Sequence, residues 1–169
     1  LKDSNPNIAY CEQDRVISLV PPREDGRNAN ARRRPGSGGT PSAEETPWGI
    51  VRVKGGKAGT YGTAWVIDTG VDLDHPDLAP NLVPGYDAVA EDTVPMDDEG
   101  HGTQVAGVVG AATDNGIGVA GVAWNTKIMP VKVLDGRGQG GFDGLAQGIM
   151  FAADRGARVI NLSLSGRKT

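Results

Sequence analysis

The chain has 169 residues, of which 38% are hydrophobic, 22% charged and only 5% aromatic. That length suits one domain or part of one, and no apolar run approaches the roughly 18 residues that cross a bilayer, so a membrane-spanning helix is excluded. Lys and Arg total 17 against 21 Asp and Glu, a net charge of −4, which argues against binding nucleic acid through bulk positive charge.

In chain order, residues 7–10 and 15–20 predict short strands. Residues 21–46 contain four Pro, four Gly and almost no large apolar side chain. They predict a disordered linker, because such a stretch cannot bury enough surface to offset its ordering entropy. Arg32, Arg33 and Arg34 within it read as a solvated run or as a place open to proteolysis. Beyond Pro47 the pattern becomes regular: 64–67 predicts a buried strand, 102–111 a helix of small residues and 127–134 another strand. A helix over 143–155 follows, with Leu145, Ile149, Ala152 and Ala153 at helical spacing, Asp143 at its start, Arg155 in its last turn and Gly156 as its stop. Residues 158–162 predict the next strand. This alternation predicts an α/β fold with right-handed crossovers and a mostly parallel sheet covered on both faces.

The charges are unevenly placed. Residues 58–126 hold no Lys or Arg but eleven acids: Asp68, Asp72, Asp74, Asp77, Asp87, Glu91, Asp92, Asp97, Asp98, Glu99 and Asp114. Such an excess repels itself unless it is solvated or a cation binds, and calcium, a hard ion preferring oxygen ligands, is the natural candidate. A set of solvated loop acids is the plainer alternative. The single Cys11 excludes an internal disulfide and leaves the redox compartment open.

Asp68 closes a predicted strand, and open α/β sheets carry their sites at that edge. His101 lies between Gly100 and Gly102 at the start of the small-residue helix. A helix N-terminus disfavours the imidazolium, whereas Asp68, Asp97, Asp98 and Glu99 favour it, a competition that suits a general base. Taken singly, Asp68 reads as a cap and His101 as an ordinary polar residue.

Together they sit in two strings. Val66-Ile67-Asp68-Thr69-Gly70-Val71-Asp72-Leu73-Asp74-His75-Pro76-Asp77-Leu78 and Gly100-His101-Gly102-Thr103-Gln104-Val105-Ala106-Gly107 closely resemble the subtilisin-like serine proteases, or subtilases, and Asn161-Leu162-Ser163-Leu164-Ser165-Gly166 resembles a third landmark of that family. The resemblance implies a three-layer fold, incomplete in this chain, and a serine endopeptidase in which Asp68 orients His101 and His101 acts as general base, then general acid. The third triad member is not matched: no Gly-Thr-Ser-Met-Ala-like segment follows, and Ser163 and Ser165 match positions that line substrate.

The same resemblance implies that Gly138, Gln139 and Gly140 form one wall of a peptide-binding cleft and Ser163, Leu164 and Ser165 the other, with substrate lying between them as an added strand. Phe142 matches the rim of an apolar pocket. For structural calcium it implies side-chain ligands Asp77 and Asn115 and the carbonyls of Thr113, Ile117 and Val119, with Glu44 where the family often supplies Gln or Asp. Residues 7–19 resemble the closing strand of an inhibitory propeptide that also chaperones folding. The implied organisation is the end of a propeptide at 1–20, a linker at 21–43 and the first part of a catalytic domain at 44–169. It carries the expectation of a secreted, monomeric enzyme that acts on peptides or proteins, and of a 169-residue chain that neither turns over peptides nor folds stably alone.

Three other readings compete. Gly136-Arg137-Gly138-Gln139-Gly140-Gly141 satisfies the dinucleotide-binding pattern G-x-G-x-x-G, but the following strand ends in Asn161-Leu162-Ser163 and lacks the acid that would hold a ribose. His75, His101 and the nearby acids suggest a metal-dependent hydrolase. The acidic loops alone suggest a calcium-binding module without catalysis, although Asp72-Leu73-Asp74-His75-Pro76-Asp77 lacks the sixth-position Gly of an EF-hand.

Overall fold

The computed structural model describes residues 16–19 and 44–166. The expected strand at 7–10, most of the 1–20 segment and the linker at 21–43 lie outside the described residues. The elements are β1 (Val16–Leu19), α1 (Trp48–Arg52), β2 (Ala64–Asp68), β3 (Tyr86–Asp87), α2 (His101–Gly110), β4 (Ile128–Lys132), β5 (Gln139–Gly141), α3 (Phe142–Asp154), β6 (Ile160–Leu162) and β7 (Leu164–Gly166), with a 3-10 turn at Ala79–Asn81.

The main sheet has the order β3-β4-β2-β6, and every pairing in it is parallel. Successive side chains of a strand point to opposite faces, and β2 uses both. Trp65 and Ile67 join Val131, Val133 and Leu134 on the face covered by Leu145, Phe151 and Ala152 of α3. Val66 joins Ile128 on the other face, against Ala106, Val105 and Val109 of α2. The result is an α/β fold of three layers. Val66, Ile67 and Val131 are fully buried, each contributing about 1.5–3 kcal/mol of apolar burial. Small side chains set the spacing on the α2 side: Gly102, Ala106 and Gly110 are the buried positions of that helix, four residues apart, so the helix lies close to the sheet.

On the α3 side, the Phe151 ring stacks on Tyr86 at 4.8 Å and meets Trp65 edge-on at 6.1 Å. The Arg155 guanidinium covers it, 3.6 Å from the ring centroid. Of the four apolar positions at helical spacing, Leu145 and Ala152 face the core, while Ile149 and Ala153 are exposed and Gly148 is buried. Shape decides here, because Gly148 is the position that Val131 and Val133 approach. Arg155 caps the helix end and does not belong to its last turn.

A second, antiparallel sheet has the order β5-β1-β7. β1 lies within the strand predicted at 15–20, whereas β5 and β7 are short, rich in Gly and Ser and without an alternating apolar signal, and are strands because they pair with β1.

Candidate active site

Asp68 ends β2 on the face that Val66 presents to α2, and it is fully buried. His101 opens α2. The two meet because Gly102 has no side chain: a Cβ there would overlap the Gly70 carbonyl. The Gly102 N–H donates to Thr69 Oγ1 at 2.9 Å and the Asp72 N–H to Thr103 Oγ1 at 2.9 Å, two further ties between strand end and helix start. In this setting His101 Nδ1 lies 2.8 Å from Asp68 Oδ1, which also accepts from the Thr69 N–H at 2.8 Å.

Asp68 Oδ2 is buried with no hydrogen-bond partner among the described residues. Burial pushes the Asp68 carboxyl above its ordinary value, although hydrogen bonds from His101 and Thr69 pull the other way. The His101 side chain keeps 32% of its surface exposed. With Nδ1 held by the carboxylate, Nε2 is the ring nitrogen left to exchange a proton with a reactant.

The loop before His101 is organised by its acids. Asp97 is partly buried, which opposes ionisation. That effect is outweighed by donors at Thr103 Oγ1 (2.5 Å), Gly100 N (2.8 Å), Thr103 N (2.9 Å) and Glu99 N (3.1 Å), so its carboxyl lies below the usual range. Glu99 Oε2 accepts from the His101 N–H at 2.8 Å. Several other acids of this lysine-free segment cap their own loops: Asp87 accepts from Val89 and Ala90, Asp92 from Val94 and Asp72 from Asp74. The expected charge excess is thus partly met by backbone N–H groups, and partly by Lys132, whose Nζ donates to Asp98 Oδ1 at 2.6 Å. Sequence reasoning missed Thr69, the capping role of Asp97, and Lys132. A charged residue closing the otherwise apolar strand Ile128–Lys132 was the signal available for the last.

Beside the pair lies the second sheet. The Asp68 carbonyl accepts from Val133 and Leu134, and the Asp135 N–H donates to the Gln139 carbonyl at 2.8 Å, so the chain passes directly from the dyad to β5. β1 lies antiparallel between β5 and β7: Ile17 is in register with Gly140 and Gly166, Ser18 with Gln139 and Ser165, Leu19 with Leu164. The Leu19 N–H donates to the Gly138 carbonyl at 3.1 Å. Ile17 is 1% exposed and packs in the cluster that contains Leu134 and Leu164. Phe142 stands at the edge of this site, its ring against Gly166. Ser163 Oγ accepts from Asn161 Nδ2 at 2.9 Å. Gly138, Gln139, Gly140, Leu164 and Ser165 therefore flank one extended segment of the same chain, whereas Phe142 lies against Gly166 and Ser163 is held by Asn161. Of the G-x-G-x-x-G stretch, residues 136–138 form a turn and Gln139–Gly141 form β5, which pairs with β1 directly before α3.

A separate cluster joins residues distant in sequence. Asn115 Nδ2 donates to Asp77 Oδ1 at 2.8 Å, the Val119 N–H to Asp77 Oδ2 at 2.9 Å, and the Asn115 N–H to Glu44 Oε2 at 3.0 Å. The Ile117 N–H donates to Asn115 Oδ1, and Thr113 Oγ1 to the Ala111 carbonyl. Gly118, at φ +62°, lies where any Cβ would overlap the Asp77 carboxylate. Two carboxylates and a side-chain amide offer hard oxygens of the kind calcium prefers, although Asn115 here turns its nitrogen to Asp77. Among the described residues no three His, Cys, Asp or Glu side chains gather as a metal-binding group. His75 Nδ1 accepts from the Asp77 N–H at 3.2 Å. Among the same residues, no helix is long and apolar enough to cross a membrane.

A parallel sheet flanked by helices, with its polar site at the carboxyl end of a strand, is the layout of three-layer α/β proteins. The subtilase family model matches residues 65–169. Thermitase of Thermoactinomyces vulgaris is 44% identical over 119 residues, covering 70% of this chain and 40% of the relative. Subtilisin E of Bacillus subtilis (strain 168) is 40% identical over 169 residues, 96% of this chain and 38% of the relative. The thermophilic serine proteinase of Bacillus sp. (strain AK1) is 54% identical over 99 residues, 59% and 25%. The chain belongs to the subtilase family of subtilisin-like serine proteases, and it spans 25% to 40% of the length of these three relatives.

Proposed function

We propose that this chain supplies the Asp–His half of the catalytic centre, the peptide-binding cleft and an inhibitory prosegment strand of a serine endopeptidase. The observation that carries the reading is the contact between buried Asp68 and partly exposed His101 beside the second sheet, in which an extended strand lies between β5 and β7. In the mechanism, a peptide enters between β5 and β7 as a strand, held by backbone hydrogen bonds irrespective of sequence. His101 removes the proton from a serine hydroxyl that comes from outside these 169 residues, and the hydroxyl attacks the scissile carbonyl. Asp68 holds the imidazole in the right tautomer and stabilises the imidazolium that forms; His101 then returns the proton to the leaving amine.

β1 fits the part of a prosegment that occupies the cleft until it is removed, with Ile17 in the apolar pocket rimmed by Phe142. Glu44, Asp77 and Asn115, with the carbonyls of Thr113, Ile117 and Val119, would hold a calcium ion, which supplies structural cross-linking when bound and no chemistry at the dyad. A melting temperature indifferent to added calcium would count against that site. Secretion and a monomeric state complete the reading.

The test is peptide hydrolysis by the full-length protein, with and without cleavage of the prosegment. Hydrolysis that appears once the prosegment is removed supports the proposal. A protein that binds calcium but never hydrolyses peptides would favour the non-catalytic module, and activity that resists a serine-directed inhibitor but is lost to a chelator and not restored by calcium would favour a metallohydrolase.

A further inference from the structure

Lys132 is the only Lys or Arg buried among the described residues, at 4% exposure. Taking an ammonium out of water costs several kcal/mol unless it is well paired, so its position calls for a reason. It is the register partner of Asp68 across the β2–β4 pairing. From there its Nζ donates to the Thr69 carbonyl at 2.7 Å and to Asp98 Oδ1 at 2.6 Å. Asp98 remains 61% exposed and needs no cation to satisfy it. What the ammonium joins is more telling: the residue directly after Asp68 and a residue three before His101. Asp98 also lies against Gly136, in the loop leading to β5. The other ties between the end of β2 and the start of α2 run directly between those two segments, whereas Lys132 reaches both from a third strand.

We propose that Lys132 is a positioning residue for the Asp68–His101 pair, its ammonium fixing the strand end that carries the carboxylate against the loop that delivers the imidazole. The proposal rests on the serine-protease reading above. It needs no contact between Lys132 and substrate, so its loss acts on the chemical step and not on peptide binding.

The test compares Lys132→Met, Lys132→Arg and Asp98→Ala in the full-length enzyme, on a synthetic peptide substrate. Lys132→Met is expected to lower kcat by about 10²-fold, the scale of a misplaced catalytic group, with KM within about twofold. Lys132→Arg keeps a cation and should recover most of that loss. Asp98→Ala cuts one tie at an exposed residue, and should lower kcat about tenfold without touching the core. The low-field imidazole proton of the Asp68–His101 hydrogen bond, followed by proton NMR, should broaden in Lys132→Met and return in Lys132→Arg. If Lys132→Met does not fold, Asp98→Ala decides. Wild-type kcat in a folded Lys132→Met or in Asp98→Ala, or a change confined to KM, overturns the positioning role while leaving the protease reading intact. A wild-type protein inactive on peptides overturns both.

Discussion

Gly102 lies so close to the Gly70 carbonyl that a single added methyl would overlap it. That approach lets the first turn of α2 bring His101 to Asp68. In an open helix, replacing Gly by Ala gains about 1 kcal/mol. Here overpacking at the strand end costs about 1–3 kcal/mol, and the clash with backbone decides the sign. Gly102→Ala is expected to destabilise the fold and to lower kcat by about 10²-fold through displacement of the imidazole. Thermal melting and peptide kinetics check it, and an active, stabilised variant would refute the packing argument.

The raised pKa of Asp68 separates stability from activity. A buried acid with a raised value binds its proton more readily folded than unfolded. Its charge therefore costs stability as pH rises from the ordinary carboxylate range through the folded value, and the cost persists at neutral pH. Asp68→Asn removes that charge. Melting at neutral pH should show a variant as stable as the parent or more so, with kcat lower by about 10⁴-fold because the imidazole loses its orienting carboxylate. A strongly destabilised variant, or one that keeps its activity, would contradict this.

Asp97 has the opposite sign. Its carboxylate caps the turn entering α2 and its pKa is lowered, so its contribution is fully present above the ordinary carboxylate value and is lost as pH falls through the folded one. Asp97→Ala should cost about 1–3 kcal/mol at neutral pH by leaving its donors unpaired. The difference from the parent should begin to shrink below about pH 4, where the unfolded carboxyl takes up its proton, until the native carboxylate is itself protonated at a lower pH. Denaturant titrations at two pH values measure this directly.

Ile17 anchors β1 between β5 and β7, the place the proposed function gives to substrate. Burial of one aliphatic side chain contributes about 1.5–3 kcal/mol, so a prosegment peptide with Ile17→Ala should inhibit the mature enzyme about 10- to 100-fold more weakly. Inhibition constants for the two peptides decide the matter, and equal constants would mean that β1 does not dock through this pocket.

Much of the central architecture was legible in the sequence, because β2, β4 and α2 carry dense apolar or small-residue runs bounded by Gly and acids. α1 is a single turn with only Ile50 buried, too short for periodicity to register. β5 and β7 have no apolar alternation, and their strand character comes from β1, more than 100 residues away along the chain. For α3 the apolar spacing holds at Leu145 and Ala152 but not at Ile149, because it is Gly148 that lies close against Val131 and Val133. At the site, Asp68 and His101 stand out through their motifs. Their contact depends on Gly102, Thr69 and Thr103, whose roles are matters of distance and not of residue type. For Lys132 the sequence offers only a charge at the end of an apolar strand, and its two acceptors come together only in the fold.

The central claim is that His101, oriented by Asp68, activates a serine hydroxyl. It is tested most directly by the second-order rate at which a serine-directed phosphonylating inhibitor modifies the full-length protein, compared between the parent and His101→Ala. The parent should react rapidly at one serine, and the variant at least about 10⁴-fold more slowly. Equal rates in the two proteins, or no modification of the parent, would contradict the account.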